Sequence, residues 1–256
     1  VLVKGSTVIE SLSKVTQVVF DKTGTLTQGK FFVEDVVGED TLMLASYAEY
    51  NSNHPIAKSI ISAYGKKIDS SKIVDLKEFA GYGIYAKIEN NEILVGNKKL
   101  MDKNNIEVPS VSDIGTIVYV SKDNKYEGYI LIKDRIKEDS KTAVSNLKET
   151  NINDVVMLTG DNEAVANSVA STLGITKVYS NTLPDQKVNI VKSLLNEGNT
   201  VVVGDGINDA PVLTLADIGI AMGSLGSDAA IEAADVVIMD DMPSKVPSAI
   251  NHSKKT

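Results

Sequence analysis

Three short apolar runs along this 256-residue chain each stop abruptly at small or acidic residues. Val18-Val19-Phe20 runs into Asp21, Val155–Leu158 into Thr159-Gly160-Asp161, and Val201-Val202-Val203 into Gly204-Asp205-Gly206. Runs that are apolar at every position and rich in β-branched residues mark strands buried on both faces, as in a parallel sheet. Two later runs, 218–221 and 236–239, read the same way. Between the runs the apolar spacing becomes helical. Val165, Val169 and Leu173 share one face of a helix over 163–173 that Gly174 ends. Val188, Val191, Leu194 and Leu195 do the same over 186–197, before Gly198, and a more polar helix over 138–149 carries Val144 and Leu147. Strands alternating with helices of this length predict an α/β fold, a doubly wound, mostly parallel, Rossmann-like sheet. Ligands of such sheets bind beyond the carboxyl ends of the strands, where Asp21, Asp161 and Asp205 stand.

The stretch from 34 to 132 is patterned differently. A helix around 40–50 is followed by Asn53-His54-Pro55 and a second helix to about Lys67. Then come an extended run over 72–79, a Gly81-Tyr82-Gly83 turn, and a hairpin of 84–88 and 93–95 about Asn90-Asn91. Two more strands, 116–120 and 126–132, flank a turn at Asp123-Asn124. The pattern predicts an α+β domain at 34–132, inserted into a discontinuous domain of 1–33 and 133–256. The junctions near 30–36 and 132–137 are expected to act as a two-strand hinge. The tail 242–256, Pro-containing and then Lys-rich, shows no pattern and is expected to be disordered.

Composition narrows the chemistry. The chain has no Cys and only His54 and His252, which excludes thiol nucleophiles, disulfides and Cys- or His-rich metal sites. A net charge of −8 with a single arginine, Arg135, is poorly suited to coating phosphate backbones, so no nucleic-acid partner is expected. No apolar run approaches the ~18 residues needed to span a bilayer, so the chain as given is expected to be soluble.

The densest chemistry is Asp-Lys-Thr-Gly-Thr-Leu-Thr at 21–27. A carboxylate at a strand end, beside Gly-rich backbone N–H groups, can attack a phosphoryl group and become an aspartyl phosphate. Gly24 permits a tight turn whose successive N–H groups form an anion-binding concavity. Alone, an Asp in such a place is more often a cap; here other groups converge on the same sheet end. Thr159-Gly160-Asp161 offers a hydroxyl and backbone donors. Lys187, in the first turn of a helix after Pro184-Asp185-Gln186, offers a point charge for phosphoryl oxygens. Asp205, Asn208 and Asp209 place two carboxylates and an amide within five residues, and oxygen donors near a phosphate suit Mg²⁺. No G-x-x-x-x-G-K-[ST] occurs, which excludes P-loop chemistry.

In this order, DKTGTLT at 21–27, TGDN at 159–162, PDQK at 184–187 and GDGINDAP at 204–211 resemble the P-type cation-transporting ATPases, within the wider haloacid-dehalogenase-like phosphotransferases. The resemblance covers essentially the whole chain. It implies that Asp21 is phosphorylated by MgATP, with Mg²⁺ held by Asp21, the Thr23 carbonyl and Asp205. Thr159 and Lys187 would contact the phosphoryl group, Asn208 and Asp209 would complete the metal's surroundings, and Lys22, Gly160 and Asp161 belong to the same catalytic motifs. Phosphatases of the wider group carry an Asp where Thr23 stands. A threonine cannot act as acid or base at neutral pH, so an aspartyl phosphate here is expected to persist.

Ser52-Asn53-His54-Pro55 resembles an element of the heavy-metal (type IB) subclass, with Asn53 where Glu is common. The resemblance makes the inserted domain a nucleotide-binding one. Glu49 and His54 would meet the adenine end of ATP, Gly81 and Gly83 would admit the phosphates, and Gly96 and Asn97 would complete the pocket. Residues 1–12 and 243–255 resemble segments that leave and approach membrane helices. The chain is then expected to be the catalytic loop of a pump, on the cytoplasmic side of the cell membrane. Its partners would be the transmembrane and actuator domains of the same protein, with the transported heavy-metal cation bound elsewhere. Residues 134–140, 222–228 and 240–245 look more like the zinc/cadmium/cobalt branch than the copper branch. Two alternatives stay open: a freestanding phosphatase with 34–132 as a cap over small esters, and a non-catalytic nucleotide-binding module.

Overall fold

The computed structural model describes residues 1–150, 152–205, 209–223 and 228–255. The chain divides into two compact units, Val1–Gly29 with Ile136–Thr256, and Lys30–Arg135. It opens with β1 (Leu2–Val3), α1 (Ser6–Ser13) and β2 (Gln17–Asp21), then passes along β3 (Thr27–Val37) into the second unit. There it forms α2 (Thr41–Ala48), α3 (Pro55–Tyr64), β4 (Ile73–Phe79), β5 (Gly83–Ile88), β6 (Asn91–Gly96), α4 (Lys98–Lys103) and β7 (Thr116–Lys122). β8 (Lys125–Ile136) carries it back. The remainder alternates through α5 (Ser140–Lys148), β9 (Asp154–Leu158), α6 (Glu163–Leu173), β10 (Lys177–Tyr179), α7 (Pro184–Leu195) and β11 (Thr200–Gly204). It ends with α8 (Ala210–Leu215), β12 (Ile218–Met222), α9 (Asp228–Ala233), β13 (Val236–Ile238) and α10 (Lys245–Lys255).

In the first unit seven strands form one sheet in the order β1-β13-β12-β11-β2-β9-β10, parallel except for β1. The continuous apolar runs are explained by burial on both sides. Val18, Phe20, Val155, Met157, Val201 and Val203 pack with Leu12 of α1, Leu147 of α5, Val169 of α6 and Ile250 of α10. The intervening Val19, Val156, Leu158 and Val202 pack with Val191 and Leu194 of α7 and Leu213 of α8. The doubly wound reading is therefore correct, and it places β2 between β9 and β11, so that three motif-bearing strand ends are neighbours.

The tail is not disordered. Val246 and Ile250, four residues apart on α10, are fully buried in the same core as Leu12. Pro247 does not prevent the helix because it lies in the first turn, where an N–H has no helical partner to lose.

The second unit is a six-stranded antiparallel sheet in the order β3-β8-β7-β6-β5-β4. Ile84, Ile93, Val95 and Val118 pack one face against Leu44 of α2 and Ile60 of α3. Leu94 and Tyr119 pack the other against Leu100 and Met101 of α4 and Ile106. Asp123 and Asn124 both take left-handed conformations (φ 49° and 61°), the turn geometry that matches strand twist. The β5–β6 turn is Glu89-Asn90, one residue earlier than expected, because Ile88 pairs with Asn91. Helix α3 stops at Tyr64, short of Lys67, where left-handed Gly65 (φ 64°) caps it. The units part within β3 after Gly29 and within β8 after Arg135, a few residues from the cuts at 33 and 132 read from the sequence. On these neighbouring strands Arg135 bonds Glu34 at 2.7 Å and lies 4.1 Å over the Phe32 ring.

Candidate active site

Asp21 ends β2, and its side chain is only 12% exposed. The next residues turn sharply: Gly24 takes φ 74°, and the Gly24 N–H donates to Thr27 Oγ1 at 3.3 Å while that hydroxyl donates to the Lys22 carbonyl at 3.1 Å. Lys187 stands in the first turn of α7, which Pro184 opens and Gln186 secures by accepting the Leu183 N–H at 2.9 Å. Its ammonium donates to Asp21 Oδ1 at 2.7 Å and to Asp209 Oδ1 at 3.2 Å. Asp205 follows β11, and Asp209 precedes α8 with its side chain 3% exposed.

One oxygen from each of Asp21, Asp205 and Asp209 falls within 4.8 Å of the others. Glycine is required for this convergence. A Cβ on Gly24 would stand 2.5 Å from Asp205 Oδ2, and one on Gly204 would stand 2.8 Å from Asp209 Oδ2. Burial above all, and then the Asp209 charge, push the Asp21 carboxyl up to about 7, against the pull of Lys187. For Lys187 burial is the largest influence and pulls downward, but Asp21 and Asp209 together outweigh it and hold the ammonium above the usual lysine range. The Lys187 ammonium bonds two of these three carboxylates, Asp21 and Asp209. An all-oxygen, negatively charged cluster of this kind fits a hard divalent cation.

Thr159, nearly buried at the end of β9, accepts the Asp161 N–H at 3.1 Å and donates its hydroxyl to Asp161 Oδ2 at 3.2 Å. Asp21, Thr23, Thr159, Gly160, Asp161, Lys187, Asp205 and Asp209 all line one cleft of about 390 Å³, with Thr182 and Pro184. That volume lies at the small end of ligand pockets, enough for a phosphoryl group with its cation and water. Lys22 does not line it. Its side chain is 3% exposed and its ammonium pairs with Asp161 Oδ2 at 2.8 Å, tying the ends of β2 and β9 together. Asn208, with Gly206 and Ile207, lies outside the described residues, as do residues 224–227. Thr182 was not singled out by sequence. Its hydroxyl donates to the Thr159 carbonyl at 2.7 Å, and its sole signal is its place two residues before Pro184.

The other candidate residues lie in the second unit. Glu49 caps the end of α2, is 9% exposed, and bonds Ser52. Burial, reinforced by the nearby Glu78 charge, raises its carboxyl to about 7. His54 is exposed and caps α3, its Nδ1 accepting the Ile56 N–H at 3.2 Å. Gly83 and Gly96 face each other across the β5–β6 pair, and a Cβ on either would strike the other's Cα at under 3 Å. Their lack of side chains is therefore explained by strand packing, whatever a ligand requires. Gly81 differs: it takes φ 77°, and a Cβ there would meet nothing within 4 Å. Asn97 joins these parts by donating to the Gly81 carbonyl at 2.8 Å and accepting the Leu100 N–H at 3.1 Å.

Residues 15–217 match the family model of the haloacid dehalogenase-like hydrolases. The whole chain aligns at 49% identity with the cadmium, zinc and cobalt-transporting ATPase of Bacillus subtilis, of which it spans 38%. It aligns at 41% with the copper-exporting P-type ATPase of Staphylococcus haemolyticus, spanning 33% of that protein. Among solved structures, 99% of the chain superposes on 43% of a zinc-transporting PIB-type ATPase in an E2.Pi state, with a TM-score of 0.84 and 31% identity. The chain thus spans 33–38% of the length of these curated relatives.

Proposed function

Because the chain belongs to the haloacid dehalogenase-like hydrolases and, within them, matches the heavy-metal P-type ATPases along its whole length, we propose that it is the ATP-driven catalytic loop of a heavy-metal cation pump. The observation that carries the reading is the grip of Lys187 on Asp21 inside a cluster of three carboxylates. An Asp21 carboxylate oxygen bonds to the γ-phosphorus of ATP, the bond from that phosphorus to the bridging oxygen breaks, and ADP departs with the electron pair. Lys187 offsets charge on the transferred group, and Thr159 and Gly160 supply further donors.

Asp21, Asp205 and the Thr23 carbonyl would hold Mg²⁺, which would supply neutralising charge there, and Asp209 with Asn208 would complete its surroundings. Lys22 and Asp161 hold the two strand ends in register. Thr23 offers no acid or base at the position two residues past the acceptor, where phosphatases of the wider group carry an Asp, and the acyl phosphate would then survive long enough to drive another step.

The unit Lys30–Arg135 would carry the nucleotide. The exposed His54, the buried Glu49 and the open Gly81 support a pocket that Gly83, Gly96 and Asn97 complete. Identity of 49% with the cadmium, zinc and cobalt transporter against 41% with a copper exporter favours the former branch. The pump's membrane and actuator domains, its cytoplasmic-side placement and its cargo belong to the same proposal.

Acid-quenched labelling with γ-labelled MgATP tests it. A hydroxylamine-labile label that disappears in Asp21→Asn is expected. Label that survives that substitution would overturn the acceptor assignment, and rapid phosphate release without label would favour the phosphatase.

A further inference from the structure

The second crossing between the units is followed at once by a buried cation. Lys137, 8% exposed, lies two residues past Arg135, where the units part. Its ammonium donates to the Gly24 carbonyl at 3.1 Å, to the Asp241 carbonyl at 3.2 Å and to Asp241 Oδ1 at 2.8 Å. An ammonium has three N–H donors, so all are committed. The same segment holds the next carbonyl of interest twice over: the Lys137 N–H and the Ser140 hydroxyl both donate to the Leu26 carbonyl, at 3.0 Å and 2.7 Å.

These bonds fall on the turn that follows Asp21, beside the Thr27 hydroxyl that links the Gly24 N–H to the Lys22 carbonyl. The Thr25 hydroxyl within it is buried without a hydrogen-bond partner. In a trans peptide the carbonyl and the following N–H point opposite ways, so fixing the Gly24 carbonyl also fixes the Thr25 N–H. Lys137 is equally committed to the far end of the chain. Asp241 adopts a left-handed φ of 56°, unusual for a residue with a side chain, and the neighbouring Ser244 N–H donates to Asp139 Oδ2 at 2.8 Å. Residues 137–140 thus grip the phosphate-facing turn on one side and the lead into α10 on the other.

We infer that Lys137 is a positioning residue for phosphoryl transfer, which sets the Gly24–Thr25 peptide plane and couples it to the Asp240–Ser244 segment. The inference rests on the reading of Asp21 as the phosphoryl acceptor.

Beryllium fluoride with Mg²⁺ mimics a phosphoryl group on an aspartate, and ¹⁹F NMR of the bound species reports the donors around it. The full chain, Lys137→Met, Lys137→Arg and Asp241→Asn are compared by calorimetry and ¹⁹F spectra, with thermal melting as the folding control. Lys137→Met is expected to weaken binding about tenfold, the loss of one charge-assisted hydrogen bond, and to shift the fluorine resonances. Lys137→Arg should restore most of the affinity. Asp241→Asn should shift the resonances with a loss of about threefold, and it carries the test alone if Lys137→Met does not fold. Wild-type affinity and spectra in both Lys137→Met and Asp241→Asn would overturn the inference, and so would unchanged spectra in Asp241→Asn where Lys137→Met is unfolded. Failure of the wild-type chain to bind the analogue would overturn the acceptor reading itself, and the inference with it.

Discussion

Replacing Gly24 with alanine should injure the site in two separable ways. At φ 74° a side chain strains the backbone by about 1–2 kcal/mol. The new Cβ would also stand 2.5 Å from Asp205 Oδ2, so the carboxylate must retreat by roughly 1 Å, a displacement that can cost a positioned site about a hundredfold. Two other glycines isolate the effects. Gly174 takes φ 76°, but a Cβ there has only Lys148 Nζ near it, at 3.8 Å, so alanine meets strain alone. Gly204 lies outside the left-handed region, and a Cβ there is 2.8 Å from Asp209 Oδ2, so alanine meets crowding alone. Urea unfolding should show Gly24→Ala and Gly174→Ala each losing about 1–2 kcal/mol. Calorimetric Mg²⁺ affinity should fall in Gly24→Ala and Gly204→Ala and stay unchanged in Gly174→Ala. If Gly24→Ala loses stability yet binds Mg²⁺ as the wild type does, the Asp205 contact does not matter and the reasoning fails.

Two further outcomes test the second unit and the tail. Glu49 is neutral in the folded chain up to about 7 but ionises near its ordinary 4.5 when unfolded, so between those values the folded state binds more protons and stability falls as pH rises. Glu49→Gln should flatten that decline, which amounts to ~3 kcal/mol at most, and melting curves that stay parallel across the window would refute the burial argument. Ile250→Ala removes a fully buried side chain of α10 and should cost about 2–4 kcal/mol by urea unfolding, whereas no loss would mean that the tail is not docked.

Much of the site was legible because its residues sit where the chain must change character. Asp21, Thr159 and Asp205 each follow a β-branched apolar run, and such runs leave polar groups at the carboxyl edge of a buried sheet. What the pattern does not contain is strand order, and it is the adjacency of β11, β2 and β9 that brings the three together. Lys137 was invisible for a different reason. In Asp-Arg-Ile-Lys-Glu-Asp-Ser it looks like one of several solvated charges, and its value depends on carbonyls 113 and 104 residues away. Helix α10 was hidden by Pro243, Pro247 and its basic end, although Val246, Ile250 and Ser253 carry the helical spacing. Gly83 carries a second reason for its missing side chain that the sequence does not display, because a Cβ there would strike Val95 and Gly96 of the neighbouring strand.

The placement of β2 at the centre of its sheet has a consequence for biosynthesis. Val19 pairs with Val156 on one side and Val202 on the other, partners made 137 and 183 residues later. Ribosomal synthesis runs from the amino end, so the whole unit Lys30–Arg135 has been made before β2 has any strand to pair with. During that interval Val18, Val19 and Phe20, all fully buried in the finished fold, have no sheet to cover them. The strand that ends in Asp21 is made before either of its neighbours and cannot gain both until β11 has emerged.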